Sequence, residues 1–91
     1  MSVVVRLPTQ LRPLTGGAGE VSVEGATVRE ALSALAAAYP GVGPWVLDEA
    51  GDLRRFVNVF VADEDVRFLD GLETPLVAGQ TVSLVPAVAG G

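Results

Sequence analysis

The feature that most constrains the fold of this chain is one amphipathic helix, predicted from Thr27 to about residue 39. Thr27 and Glu30 have the spacing of a capping box, in which the threonine hydroxyl accepts a hydrogen bond from a helical N–H and the glutamate reaches back. Pro40 and Gly41 then end the helix. The apolar positions recur at helical spacing and form one stripe: Val28, Ala31, Leu32, Leu35, Ala38 and Tyr39. Such a stripe is buried by lying across the face of a sheet.

Two strands are predicted before the helix. Residues 2–7 alternate between two faces, with Val3, Val5 and Leu7 on the same one. Residues 20–23 form the second strand. The loop between them, 8–19, is much longer than the usual hairpin loop of about 2–5 residues. It is therefore either functional or merely tolerated.

Three further strands are predicted after the helix. Residues 41–54 show no clean periodicity and are interpreted as a connection with one helical turn, in which Trp45 and Leu47 close one end of the core. Residues 55–61 alternate again, with the valines on the core face. A short strand over 65–68 and a last strand over 80–86 complete the chain.

The order of these elements is strand, strand, helix, connection, strand, short strand, strand. This order predicts an α+β domain of the β-grasp, or ubiquitin-like, class, with a mixed sheet of four to five strands packed on one main helix. The first and last strands form the central pair. The chain has 91 residues, which suits one domain. We expect the β-grasp domain to span residues 1–86 and a flexible tail to span residues 87–91.

The composition excludes several classes of function. The chain has no Cys, no His and no Lys, so the usual general base and the strongest nucleophile are missing, and a carrier or subunit is expected rather than an enzyme. Six Arg against eleven Asp and Glu argue against binding to nucleic acid. No apolar run approaches the ~18 residues of a membrane span, and no signal peptide is predicted. The absence of Cys fits a reducing compartment such as the cytoplasm.

Two features are candidates for docking of a partner. Phe56 and Phe60 lie on the face of their strand opposite the valines, and exposed large apolar groups often mark an interface. The alternative is that one of the two long connections covers them. Next to them lies an acidic turn formed by Asp63, Glu64 and Asp65. Its spacing matches no calcium loop, so a solvated turn is favoured and no metal site is predicted.

The last residues, Ala87-Val88-Ala89-Gly90-Gly91, are small and uncharged. Because glycine has no Cβ, its backbone can approach the wall of a narrow channel and adopt either sign of φ. A carboxylate on Gly91 can then reach the α-phosphate of ATP, and adenylation makes it a good acyl electrophile. A terminus without a role is the alternative.

Over its whole length the chain resembles the ThiS/MoaD family of ubiquitin-like sulfur carriers. Three segments carry the resemblance: LRPLTGG at 11–17, RFVNVFVADEDVRF at 55–68 and VSLVPAVAGG at 82–91. The last segment is the family signature. The middle segment makes the chain most similar to the members that serve the synthesis of cysteine.

The resemblance implies a mechanism in which partner enzymes do the chemistry. An E1-like activating enzyme uses ATP and Mg²⁺ to adenylate Gly91, and sulfur transfer displaces AMP and leaves a thiocarboxylate. A pyridoxal-phosphate-dependent cysteine synthase takes the sulfur, and a metal-dependent peptidase releases cysteine. The tail residues Gly90, Ala89 and Val88 thread the channel of the partner. The chain itself binds no cofactor.

Two alternatives stay open. Within the family, the chain could be a MoaD-like small subunit of molybdopterin synthase or a ThiS-like carrier for thiazole synthesis, because the chemistry of the tail is shared. In another class, it could be a ubiquitin-like protein modifier or a docking module. Without Lys it cannot form lysine-linked chains on itself.

Overall fold

The computed structural model describes residues 2–55 and 57–86. Five strands form one mixed sheet: β1 (Ser2–Arg6), β2 (Glu20–Glu24), β3 (Val57–Val61), β4 (Glu64–Asp65) and β5 (Thr81–Pro86). Their order across the sheet is β2-β1-β5-β3-β4, with β1 parallel to β5 and the other pairs antiparallel. The predicted central pairing of the first and last strands is confirmed.

Alternation along the strands decides which face of the sheet is buried. The apolar residues of β1, β3 and β5 that share one face are all buried: Val3, Val5, Val57, Val59, Val61, Val82 and Leu84. β-branched side chains favour extended backbone and pack well on a pleated surface, so the same residues form the strands and the core. The opposite face of the sheet carries more polar side chains, among them Arg6, Asn58 and Ser83.

The helix α1 (Val28–Ala38) lies across the buried face and is capped as predicted. The Thr27 hydroxyl accepts a hydrogen bond from the Glu30 N–H at 3.2 Å. The Glu30 carboxylate accepts from the N–H of Ala26, one residue before the cap, at 2.9 Å. Val28, Ala31, Leu32 and Leu35 are buried.

The prediction that Ala38 belongs to the buried stripe is wrong. Ala38 is exposed and Tyr39 is half-buried at the end of the helix. At 3.6 residues per turn, Ala38 lies roughly 70° from the middle of the stripe. Ala38 therefore faces away from the core, although Leu35 in the same turn is buried.

The two long connections are ordered and contribute to the core. A 3₁₀ helix occupies Thr9–Thr15 in the loop between β1 and β2, and its Leu11 is buried. The predicted helical turn after α1 is confirmed as α2 (Gly43–Val46), and Trp45 packs half-buried against the core. No helix within residues 2–55 and 57–86 has the length and apolar character needed to cross a membrane.

The prediction of a strand over 65–68 is wrong. β3 and β4 form a hairpin whose two-residue loop, Ala62 and Asp63, has φ values of 53° and 68°, the positive pair that such tight loops need. β4 then stops at Asp65, because the carboxylate of Asp65 accepts from the Arg67 N–H at 2.8 Å and begins a 3₁₀ helix, Val66–Phe68. Burial of Val66 holds this turn on the core.

Candidate functional site at the root of the tail

The residues predicted to carry the chemistry, Val88, Ala89, Gly90 and Gly91, lie outside the residues that the structure describes. The structure does describe the strand that leads to them. β5 is the middle strand of the sheet, bonded to β1 on one side and to β3 on the other. Its last residue, Pro86, lies opposite Val57. The end of β5, Val85 and Pro86, is called the root of the tail. It belongs to a strand that has a hydrogen-bonded neighbour on each side.

A groove of about 400 Å³ runs beside the root, between the outer face of β5 and the first 3₁₀ helix. Its lining comprises Arg6, Leu7, Pro8, Thr9, Gln10, Arg12, Ser83, Leu84, Val85 and Pro86. Arg6 Nε donates to the Glu20 carboxylate at 3.2 Å, and both side chains are more than half exposed. Arg12 Nε donates to the Leu7 carbonyl at 3.4 Å. Two guanidinium groups thus lie beside the root in a chain with a net charge of −5.

Phe60, one of the predicted docking residues, lies on the outer face of the sheet. It is half-buried and is opposite Ser83 on β5 and Asp65 on β4. It also borders a hollow of about 240 Å³ that Arg6 of β1, on the far side of β5, lines as well. Phe56, the other predicted aromatic, lies outside the described residues. A docking role for either residue stays a prediction.

The three residues of the acidic turn do not act as one group. Asp63 lies exposed at the tip of the hairpin, and Glu64 is exposed on β4. The Asp65 carboxylate accepts a hydrogen bond from the backbone N–H of Arg67. It also lies 3.9 Å from the Arg67 guanidinium. Among residues 2–55 and 57–86, no three acidic, His or Cys side chains converge on a point that could hold a metal ion. The docking role predicted for this turn stays a prediction.

The sequence reasoning missed two neighbouring residues, Arg67 and Phe68. The Arg67 guanidinium donates to the Asn58 side chain at 2.9 Å and to the Val57 and Arg54 carbonyls at 2.9 and 3.0 Å. Phe68 follows it and is 84% exposed. An Asp two residues before Arg67 is a capping signal that could have indicated a turn here.

Comparison with known proteins agrees with this architecture. Residues 5–91 match the profile of the ThiS family, and the chain belongs to that family. It is similar to the sulfur carrier protein CysO of Mycobacterium tuberculosis, with 48% identity over 93 aligned residues and full coverage of both chains. In the crystal structure of the Amycolatopsis orientalis BexX/CysO complex, one chain matches with a TM-score of 0.90 and 45% identity, over 98% of this chain and 99% of that one.

A more distant relative is named as a modifier protein. Small archaeal modifier protein 3 of Haloferax volcanii is 39% identical over 66 residues, which cover 72% of this chain and 71% of that protein. The predicted family and the ubiquitin-like β-grasp fold are confirmed by these similarities together with the strand order.

Proposed function

We propose that this protein is a sulfur carrier of the CysO type and that the Gly91 carboxylate is the group that carries the sulfur. The observation that supports this most strongly is the similarity to CysO over the full length of both chains. The lack of Cys, His and Lys agrees with it, because a carrier supplies a carboxylate and leaves catalysis to its partners. The chain is then a co-substrate rather than an enzyme.

The proposed loading reaction has two steps on an E1-like activating enzyme. First, a carboxylate oxygen of Gly91 attacks the α-phosphorus of ATP, with Mg²⁺ on the phosphates, and pyrophosphate leaves. Second, a sulfur nucleophile attacks the Gly91 carbonyl carbon, and AMP leaves with the electrons of the acyl C–O bond. The product is a thiocarboxylate. Gly90 and Gly91 have no Cβ, so the activating enzyme can enclose them closely.

The proposed unloading reaction makes cysteine. On a pyridoxal-phosphate-dependent synthase, the thiocarboxylate sulfur replaces the phosphate of O-phosphoserine: the bond between the β-carbon and the phosphate oxygen breaks, inorganic phosphate leaves, and a C–S bond forms at that carbon. An S-to-N acyl shift leaves cysteine in amide linkage to Gly91. A metal-dependent peptidase hydrolyses that amide and restores the carboxylate. ATP, Mg²⁺ and pyridoxal phosphate all belong to the partner enzymes.

The geometry of the root supports the proposal. An extended segment of five residues spans at most about 17 Å, so residues 87–91 can carry Gly91 into a buried active site while the sheet stays outside. The hydrogen bonds of β5 to β1 and β3 hold the root in place. A partner that docks on the sheet therefore receives the tail from a defined point.

The absence of Cys gives a direct test. The purified chain is incubated with extract of its own organism, ATP and sulfide, treated with iodoacetamide, and analysed by intact mass and by its C-terminal peptide. We expect one alkyl group, on Gly91, that requires ATP. A variant that lacks Gly91 should stay folded by Trp45 fluorescence and take no label. If the full chain takes no label in an extract that activates another such carrier, the proposal is wrong.

The similarity to small archaeal modifier protein 3 favours protein modification as a second candidate function. The same activated Gly91 would then be attacked by a lysine amine of another protein, with AMP or an enzyme thiol leaving. The same extract distinguishes the two functions. Conjugates in which Gly91 is bonded to lysine, without alkylatable thiocarboxylate, would support the modifier.

A further inference from the structure

We propose that Phe68 is a second anchor for the activating enzyme that takes up the tail, and that it fits an apolar pocket with a cationic rim beside the mouth of that enzyme's channel. The proposal rests on the proposed function and adds a surface to it. Phe60 is not needed for it. Four observations on the described residues support it.

The first observation is exposure. Phe68 is 84% exposed, whereas its neighbour Val66 is fully buried. A phenylalanine side chain can bury roughly 150–250 Å² of surface. Leaving it exposed to water therefore gives up a large part of the free energy that its burial would contribute. Leu69, which follows it, is 42% exposed. The two residues form an apolar projection that the described residues, 2–55 and 57–86, leave exposed.

The second observation is that Phe68 is held in place. Arg67 makes two hydrogen bonds to the start of β3 and one to the Arg54 carbonyl before it, and the Asp65 carboxylate caps the turn. β4 is short and pairs with Phe60 and Val61. Beyond its end, the Arg67 guanidinium donates to the Val57 carbonyl, as a backbone N–H of a longer strand would. The backbone that bears Phe68 is therefore ordered before any partner binds. Presenting an aromatic side chain in this way lowers the entropy cost of binding.

The third observation is position. The groups that Arg67 binds belong to Val57 and Asn58, which lie opposite Pro86 and Val85 at the end of β5. Phe68 directly follows Arg67 in the chain, so its backbone is linked through the Arg67 side chain to the end of β3 that lies beside Pro86. Val85 is 41% exposed on β5. An enzyme that encloses the tail thus meets the side of the domain that carries Phe68.

The fourth observation is charge, which decides what kind of surface fits. Asp63, Glu64 and Asp70 are exposed within five residues of Phe68. The guanidinium of Arg67, the residue before Phe68, is turned toward the carbonyls of Arg54 and Val57. A cationic rim on the partner would complement this surface, whereas a second copy would bring the same carboxylates and be repelled. We therefore assign the surface to an enzyme rather than to self-association.

The test uses the full chain and the E1-like enzyme of the same organism. The rate of adenylation is measured as the release of pyrophosphate at varied concentrations of the carrier. For Phe68→Ala we expect the KM for the carrier to rise about 30-fold, the change typical of an interfacial aromatic hot spot, with kcat changed by less than about twofold. Arg67→Ala should raise KM by a smaller factor, because Phe68 remains but is less firmly held. Since Phe68 is exposed, its truncation should leave the unfolding midpoint unchanged.

Val77→Ala is the matched control. Val77 is 64% exposed, and its N–H is bonded to Gln80 just before β5 begins. It thus lies at the other end of a strand about 17 Å long. Val77→Ala should behave as wild type. If Phe68→Ala has the same KM as Val77→Ala while wild type is adenylated, the anchor is refuted and the carrier function stands.

Two other outcomes also have a definite meaning. If wild type is not adenylated at all, the proposed function fails and the anchor fails with it. If Phe68→Ala only turns a dimer into a monomer in light scattering, without a change in KM, the surface binds a second copy and the enzyme proposal is wrong.

Discussion

Substitution of Gly25 by alanine should test how the helix α1 is joined to the sheet. Gly25 is buried between β2 and the N-terminal turn of α1. A Cβ at this position would lie 2.6 Å from the Ala31 nitrogen, 2.9 Å from its Cα and 3.1 Å from the Glu30 carbonyl carbon. All three atoms belong to the backbone of α1, so no side chain can rotate away. Either the helix or residues 24–26 must shift.

The magnitude follows from what such a shift disturbs. Inserting a methyl group into a well-packed site costs about 1–3 kcal/mol. A shift of residues 24–26 also strains the bond from the Ala26 N–H to Glu30 and the cap at Thr27, and losing the cap costs about 1 kcal/mol. We therefore expect Gly25→Ala to lower the free energy of unfolding by about 3 kcal/mol. For a domain of this size the melting temperature falls by about 12–24 °C.

The assay is urea unfolding followed by fluorescence of Trp45, the single tryptophan, which packs against the core. Gly41→Ala is the matched control. A Cβ on Gly41 would meet a flexible Leu14 side chain at 3.4 Å, so this substitution should change stability by less than about 1 kcal/mol. A free energy for Gly25→Ala within about 0.5 kcal/mol of wild type would show that the contact with α1 is not tight and would refute the reasoning.

Two further predictions concern local structure. Thr27→Ala removes the acceptor for the Glu30 N–H and should lower the free energy of unfolding by about 1 kcal/mol, whereas Thr27→Ser keeps the hydroxyl and should cost little; urea unfolding of both variants checks this. Ala62→Gly removes the cost of a side chain at φ 53° and should raise the free energy of unfolding by about 1 kcal/mol, and with it the melting temperature. Ala50→Gly, in an exposed turn, should not raise either quantity. A lower melting temperature for Ala62→Gly would contradict the hairpin geometry.

Much of the fold was predictable because its signals are local. The valine alternation over 57–61 defined a strand and its buried face, and the Thr27 and Glu30 pair defined the start of α1. The segment over 65–68 was not predictable in the same way. Its letters alternate as a strand would, but the Asp65 side chain competes for the backbone N–H of Arg67 and turns the chain.

For the candidate site, the sequence predicted the chemistry, whereas the groups that surround the site depend on the tertiary structure. The small residues at 87–91, together with the lack of Cys, His and Lys, predict a carrier, because reactivity depends on which groups are present. Which side chains lie beside the root depends on contacts between residues far apart in the chain. The guanidinium of Arg67 reaches Val57 at the start of β3, opposite Pro86, and the next residue, Phe68, is exposed. No local pattern specifies such a contact, since it exists only once β3, β4 and β5 have paired.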